Sequence, residues 1–236
     1  MSQRTDAVLI TGGSKRLGLQ FALKTLELGF SAVIHYRNDI SEALKTISPK
    51  ELKDRVHFIQ HDLSEKPELI LDKAHNLPVN LVGLVNNASI FTEGNLEDID
   101  DLKKIIWINA LVPAQINTFF ARKIKKGWII NITDAIIEKP NSRFQNYRIS
   151  KQLLQQLTRQ QAYLFAPNLR VNALAPGAMI PASTEDQHYF NSLSEIIPMH
   201  TTGDLHSLMN AYEFLIKSPY ITGETIRVDG GWNIVS

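Results

Sequence analysis

Tyr147 and Lys151 stand four residues apart in a helical run, which puts a phenol and an ammonium on one helix face. A tyrosine hydroxyl, with a reference pKa of about 10, is a poor proton partner at neutral pH. A neighbouring ammonium favours the phenolate and is expected to lower that pKa. The pair suits proton delivery to a reacting group; the plainer reading is two residues on a helix surface. A second constellation lies far upstream. Thr11-Gly12-Gly13-Ser14-Lys15-Arg16-Leu17-Gly18 leaves a short apolar run and opens a helical one. Glycines let the main chain turn sharply and approach a pyrophosphate, and the free N–H groups of a helix start attract an anion. The loop reads as a nucleotide cradle, with a ligand-free strand–helix turn as the alternative.

The next strand ends His35-Tyr36-Arg37-Asn38. NAD sites place an acid there to hold the ribose hydroxyls. Here Arg37, Lys15 and Arg16 could converge instead on a 2′-phosphate, which a carboxylate would repel. NADP(H) is therefore the expected cofactor. Asp39 is the counterweight, placed too late, in the turn before the next helix. For Arg37 and Lys15, solvated surface cations remain the alternative.

These groups need a scaffold. Apolar runs predict strands at Ala7–Ile10, Ala32–Tyr36, Val56–Gln60, Leu81–Val85, Trp128–Ile132, Arg170–Ala175 and Thr225–Val228. Helical patterns fall at Leu17–Leu28, Asp101–Lys125, Tyr147–Phe165 and Asp204–Ile216. Such alternation implies a single-domain α/β fold: a doubly wound parallel sheet of about seven strands with helices on both faces. Pro113 interrupts the long second pattern. It has no N–H to give the carbonyl of Asn109, so a kink is expected there. With 236 residues, the chain can bury a sizeable core. Lys+Arg 25 against Asp+Glu 24 leaves no electrostatic footprint for nucleic acid. The chain has no cysteine, which excludes disulfides, thiol catalysis and Cys-held metals. No metal site is expected, since no His-Glu-x-x-His spacing occurs among the seven histidines. No apolar run suggests a membrane span or a signal peptide, so a cytoplasmic protein is expected.

The loop Thr11–Gly18, the pair Tyr147 and Lys151, and the turn Asn86-Asn87-Ala88-Ser89 together resemble the short-chain dehydrogenase/reductase family, from Thr11 to Trp232. The resemblance implies a Rossmann-type NADP(H)-binding domain over residues 1–236. It implies cofactor contacts at Gly12, Lys15, Arg16, Leu17, Gly18, His35, Tyr36, Arg37, Asp62, Leu63, Asn87, Ala88, Ser89, Tyr147, Lys151, Pro176 and Gly177. Asp62 would meet the adenine amino group, or else cap the next helix with Ser64. Asn86 could be structural only. Tyr147 would be the proton donor. Asn109 would offer its main-chain carbonyl to a water that relays protons to Lys151. Asp229-Gly230-Gly231-Trp232 resembles the family's closing turn near subunit contacts, implying a homotetramer or homodimer; Trp232 could instead be a private core residue.

One position departs from the family. Most members carry serine thirteen residues before the tyrosine, where this chain has Asp134. A carboxylate would repel a developing alkoxide, but it accepts hydrogen bonds from amino and ring N–H groups. It can also orient Tyr147; capping a turn is the plain alternative. Arg16 in place of the loop's middle glycine, Asp134, and Phe91 after the fourth strand resemble the pteridine reductase branch. There the aromatic ring stacks on a pterin; Phe91 could instead be core filler. The expected substrate site is Arg16, Ser89, Phe91, Asp134 and Tyr147, under a lid around 178–202. The expected activity is NADPH-dependent reduction of a dihydropteridine of the dihydromonapterin, dihydrobiopterin or dihydrofolate type. Two alternatives stay open: a carbonyl reductase of 3-oxoacyl thioesters, sugars or quinones, and a non-catalytic NADPH-binding sensor or scaffold.

Overall fold

Apolar runs without polar alternation belong to strands covered on both faces. The computed structural model describes residues 4–181 and 187–235. In it the runs become β1 (Thr5–Thr11), β2 (Ser31–Tyr36), β3 (Val56–Gln60), β4 (Val79–Asn86), β5 (Gly127–Ile132), β6 (Leu169–Pro176) and β7 (Thr225–Val228). Among the described residues they pair in parallel as one seven-stranded sheet, ordered β3-β2-β1-β4-β5-β6-β7. The helices are α1 (Arg16–Glu27), α2 (Ser41–Thr46), α3 (Pro49–Asp54), α4 (Leu69–His75), α5 (Ile99–Ile106), α6 (Val112–Lys123), α7 (Gln145–Phe165), α8 (Gln187–Ile196) and α9 (Leu205–Lys217). One face of the sheet packs α1 and α9, with Phe21 and Tyr212 against Ile10 and Ile130. The other packs α4, α6 and α7, with Ile70, Phe120 and Ala162 beside Leu9 and Ile129. The strand order reverses between β1 and β4, and in such sheets ligands bind beyond the strand ends at that point.

The expected break at Pro113 is present. A π-helical turn, Trp107–Leu111, separates α5 from α6, and the Val112 N–H reaches back to the Trp107 carbonyl. The missing proline N–H is absorbed by widening the helix one turn earlier. Beneath it runs a buried polar seam. Asn86 Nδ2 donates to Asn117 Oδ1 (2.6 Å) and Asn131 Oδ1 (2.8 Å). Asn131 Nδ2 donates to Thr158 Oγ1 (2.9 Å), and Asn117 Nδ2 to Gln161 Oε1 (2.8 Å). The seam locks β4, β5, α6 and α7 in register, which fixes α7 relative to the end of β5.

The lid expected at 178–202 is only partly irregular. Residues 182–186 lie outside the described residues, and α8 follows. Phe190, Leu193 and Ile197 of this segment pack on Ala178 and Trp232, so Trp232 does pack into a core. No helix among the described residues is long and apolar enough to cross a membrane.

Candidate active site

At the switch point the loops after β1 and β4 are stitched together. Asn87 Nδ2 donates to the carbonyls of Thr11 and Gly12, both at 3.1 Å. The N–H groups of Asn87 and Ala88 donate to Thr11 Oγ1, both at 3.0 Å. Gly12 has φ +61°, the left-handed region that suits glycine. At Gly18 an added Cβ would lie 2.1 Å from the Gly12 carbonyl oxygen, so α1 can pack on the loop only through a bare Cα. Arg16 has φ +51°, which explains the family's usual glycine there. An arginine held so costs on the order of 1–2 kcal/mol, and its Nη2 donates to the Pro181 carbonyl, in the segment after β6. Gly12 and Gly18 thus lie against Asn87 and Ala88, with Lys15, Arg16 and Leu17 in the same stretch between them. Tyr36 sits edge-on to Phe58, 6.3 Å between centroids, and Arg37 is exposed at the end of β2.

Two expected cofactor side chains point elsewhere. His35 is buried, 3% exposed. The Gly12 N–H donates to its Nδ1 at 3.1 Å, and Nε2 therefore carries the proton toward the His61 carbonyl at 3.0 Å. The imidazole braces the loop from behind because β2 carries it inward. Burial pushes its pKa down to about 4. Leu63 is core, 7% exposed, leaving only its main chain to meet a ligand. Asp62 does not cap the next helix: its Oδ1 accepts from the Ser64 N–H (2.9 Å) and hydroxyl (2.7 Å) within its own turn, and α4 starts only at Leu69, with no side-chain cap. Asp39 is likewise absorbed in its own turn, accepting from the Ser41 N–H and Oγ, each at 2.9 Å.

The His35 brace has a consequence for stability. Between pH 6.5 and about 4, unfolded His35 binds a proton that the folded side chain refuses. Stability therefore rises with pH across that window and is lost as pH falls through it, by roughly 3 kcal/mol in all. Urea denaturation at pH 7 and pH 4.5 should show this loss in the wild type. It should be largely absent in His35→Gln, which titrates at neither pH.

Beyond β5 and on the first turns of α7 the polar groups converge. The Tyr147 hydroxyl donates to Asp134 Oδ2 at 3.1 Å, and Asp134 Oδ1 accepts the Ile136 N–H at 2.8 Å. Asp134 therefore both caps its turn and faces the phenol. Lys151, 3% exposed, donates to the Ile132 carbonyl at 2.8 Å, with Nζ 5.8 Å from the Tyr147 ring centroid. Burial raises the Asp134 pKa from its ordinary value. Burial also lowers Lys151 to about 8, against the pull of Asp134. The expected lowering of the tyrosine pKa is not what the structure gives. Burial first, then the charge and hydrogen bond of Asp134, push Tyr147 well above its usual 10. Burial and the carboxylate act in the same direction, and Tyr147 keeps its proton at neutral pH.

Over this group lies Phe91, 49% exposed. Its ring meets Tyr147 edge-on (4.7 Å, 85°) and stacks on Phe144 (4.7 Å, 7°). Sequence reading missed Phe144. Its one signal is position, three residues before Tyr147, while its contact with Phe91 depends on a tertiary bridge between Gly94 and Phe144. Asn109 is fully buried and acts through its side chain. Its Oδ1 accepts the Ile90 N–H (2.8 Å) and the Ser89 hydroxyl (3.2 Å), and its Nδ2 donates to the Ile90 carbonyl (2.9 Å) and Ser150 Oγ (3.0 Å). Ser150 Oγ donates to the Tyr147 carbonyl at 2.6 Å. One amide thus fastens the Phe91 loop to the helix carrying the phenol, a second missed connection. At the far side Pro176 accepts the Ala135 N–H at 3.0 Å and Gly177 donates to the Val228 carbonyl at 2.8 Å, placing both beside Asp134. The arrangement can hold a flat ring against Phe91 and deliver a proton from Tyr147.

A family model described as enoyl-(acyl carrier protein) reductase matches residues 13–233. A dihydromonapterin reductase of Enterobacter sp. (strain 638) is 29% identical, with 95% of each chain covered. A 3beta-hydroxysteroid dehydrogenase 1 of Eggerthella lenta is 30% identical, covering 96% of this chain and 93% of its own. The crystal structure of FolM alternative dihydrofolate reductase 1 from Brucella suis in complex with NADP superposes with TM-score 0.90 at 26% identity, covering 97% of this chain and 95% of that one. With most of its length matched by that family model, the chain belongs to the short-chain dehydrogenases/reductases and is an oxidoreductase.

Proposed function

We propose that the protein reduces a dihydropteridine with NADPH, the substrate being of the dihydromonapterin, dihydrobiopterin or dihydrofolate type. The observation that carries this reading is the Tyr147 hydroxyl on the Asp134 carboxylate, at 3.1 Å, directly beside the half-exposed ring of Phe91. A carboxylate suits the amino and ring N–H groups of a pterin and opposes a ketone's developing alkoxide. The relatives named dihydromonapterin reductase and alternative dihydrofolate reductase support the same substrate class.

The residues present fit a dinucleotide. Gly12 and Gly18 let the main chain approach the groove, no acid closes the end of β2, and Asp39 is occupied by Ser41. Lys15, Arg16 and Arg37 favour the 2′-phosphate, and Lys151 would hold ribose hydroxyls. When bound, the reduced nicotinamide supplies a hydride to ring carbon C6. The proton for N5 comes from the side of Tyr147, whose raised pKa keeps it charged with a proton. Asp134 orients that hydroxyl and accepts from the ring N–H groups. A water on the main-chain carbonyl of Asn109 would resupply the proton through Lys151. The site works mainly by holding the C=N bond beside the hydride donor. That reading includes a cytoplasmic enzyme assembled as a homotetramer or a homodimer, and light scattering on the purified protein tells the two assemblies apart.

The resemblance to a steroid dehydrogenase favours a second reading, reduction of a carbonyl. NADPH oxidation with dihydromonapterin, with ketones and with no acceptor separates these. Turnover with the dihydropteridine supports the proposal, turnover with ketones alone selects the second reading, and binding without turnover makes the protein a sensor. Phe91→Ala should raise the KM for the dihydropteridine about ten-fold or more, since aromatic stacking on a heterocycle is worth roughly 1–3 kcal/mol. NADPH affinity should stay unchanged in a titration of the same variant.

A further inference from the structure

Lys15, the residue that precedes α1, gives that helix no side-chain cap. The first helical N–H, that of Arg16, instead donates to Glu42 Oε1 at 3.0 Å. Glu42 reaches it from the first turn of α2, across the mouth of the Gly12–Gly18 loop. Among the acids around this loop it is the odd one. The Asp39 carboxylate is bonded to the N–H and hydroxyl of Ser41, and its carbonyl accepts from Ser14 Oγ at 2.7 Å. Glu42 is exposed and lends its carboxylate to a helix start that would otherwise draw an anionic ligand.

We propose that Glu42 is a built-in competitor of the cofactor, its carboxylate holding the α1 N–H that a phosphate-bearing dinucleotide approaches. This rests on the NADPH reading of the same groove. Glu42 acts on affinity and on the choice between NADPH and NADH, with no part in the chemistry. Binding brings the negative charges of the pyrophosphate, and for NADPH those of the 2′-phosphate, toward Glu42. Lys15, Arg16 and Arg37 pull the other way. The carboxylate must swing out or stay at an electrostatic cost, which is larger for NADPH than for NADH.

Glu42→Gln separates this role from simple capping, because the amide oxygen can still accept the Arg16 N–H. Dissociation constants for NADPH and NADH are measured by calorimetry for wild type, Glu42→Gln and Glu42→Ala, at low and high salt. The proposal expects Glu42→Gln to bind NADPH tighter by roughly 3–10-fold at low salt. The gain should be smaller for NADH and should shrink as salt is added. Unchanged affinity in Glu42→Gln would make Glu42 a cap only and overturn the proposal. Weaker NADH binding would overturn it too, and make the carboxylate a ribose ligand. A wild type and variants that bind no dinucleotide would overturn the NADPH reading itself, a result distinct from NADPH binding that ignores residue 42.

Discussion

Asp134→Ser is expected to cut dihydropteridine turnover by at least ~100-fold, the lower range for loss of an acid–base partner. The variant removes the acceptor of the Tyr147 hydroxyl at 3.1 Å and the carboxylate offered to the ring N–H groups. NADPH affinity should hold, since the groove is built from the β1 and β4 loops. Stability should fall modestly: serine can still accept the Ile136 N–H of that turn, but the buried Lys151 ammonium loses the opposite charge of Asp134. Steady-state kinetics, an NADPH titration and thermal unfolding on one preparation check all three. Full turnover in Asp134→Ser would make the carboxylate incidental. Gain of ketone reduction would show that this position sets the substrate class.

Tyr147→Phe should be as severe, with loss of ~10²–10⁴-fold in kcat and little change in KM, because only the proton is removed. The pH profile gives a second handle through Lys151, whose pKa is about 8 against 10.5 unfolded. Activity should fall as pH rises through about 8, when the ammonium beside the phenol is lost. Stability should move the other way. Between about 8 and 10.5 the unfolded lysine holds the proton that the folded one has given up, so stability rises with pH. Lys151→Met should lose both trends. An activity that stays flat past pH 9 would remove Lys151 from the proton pathway.

Much of this was legible in residue order, and the exceptions share a cause. The strands were readable because both faces are buried, so their apolar runs are unbroken. Pro113 announced its own disturbance, since a missing N–H must be absorbed locally, and the π-helical turn stands one step before it. Helix α8 was not readable: its buried side chains are only Phe190 and Leu193, joined by Ile197 just past its end, and the surface they need comes from Trp232 far along the chain. Helices α2, α3 and α4 are too short for a period to show. Within the site, residue types and spacing indicated Tyr147 and Lys151, and the resemblance to pteridine reductases added Asp134 and Phe91. Partners set by tertiary contact stayed hidden. Phe144 behind Phe91, the Asn109 amide on Ile90 and Ser150, and the inward turn of His35 are examples. The tyrosine pKa failed for a related reason. The pairing with Lys151 is local in sequence, whereas the burial and the Asp134 contact that outweigh it are not.

In the proposed complex Phe91, Asp134 and Tyr147 meet one flat nitrogen heterocycle beside a nicotinamide. A crystal structure of the complex with NADP and a bound pterin tests it most directly. The pterin ring should lie between Phe91 and the nicotinamide, with the Tyr147 hydroxyl toward N5 and the Asp134 carboxylate among the amino and ring N–H groups. A pterin bound away from Phe91, or an Asp134 carboxylate turned from both the ring and Tyr147, would contradict it.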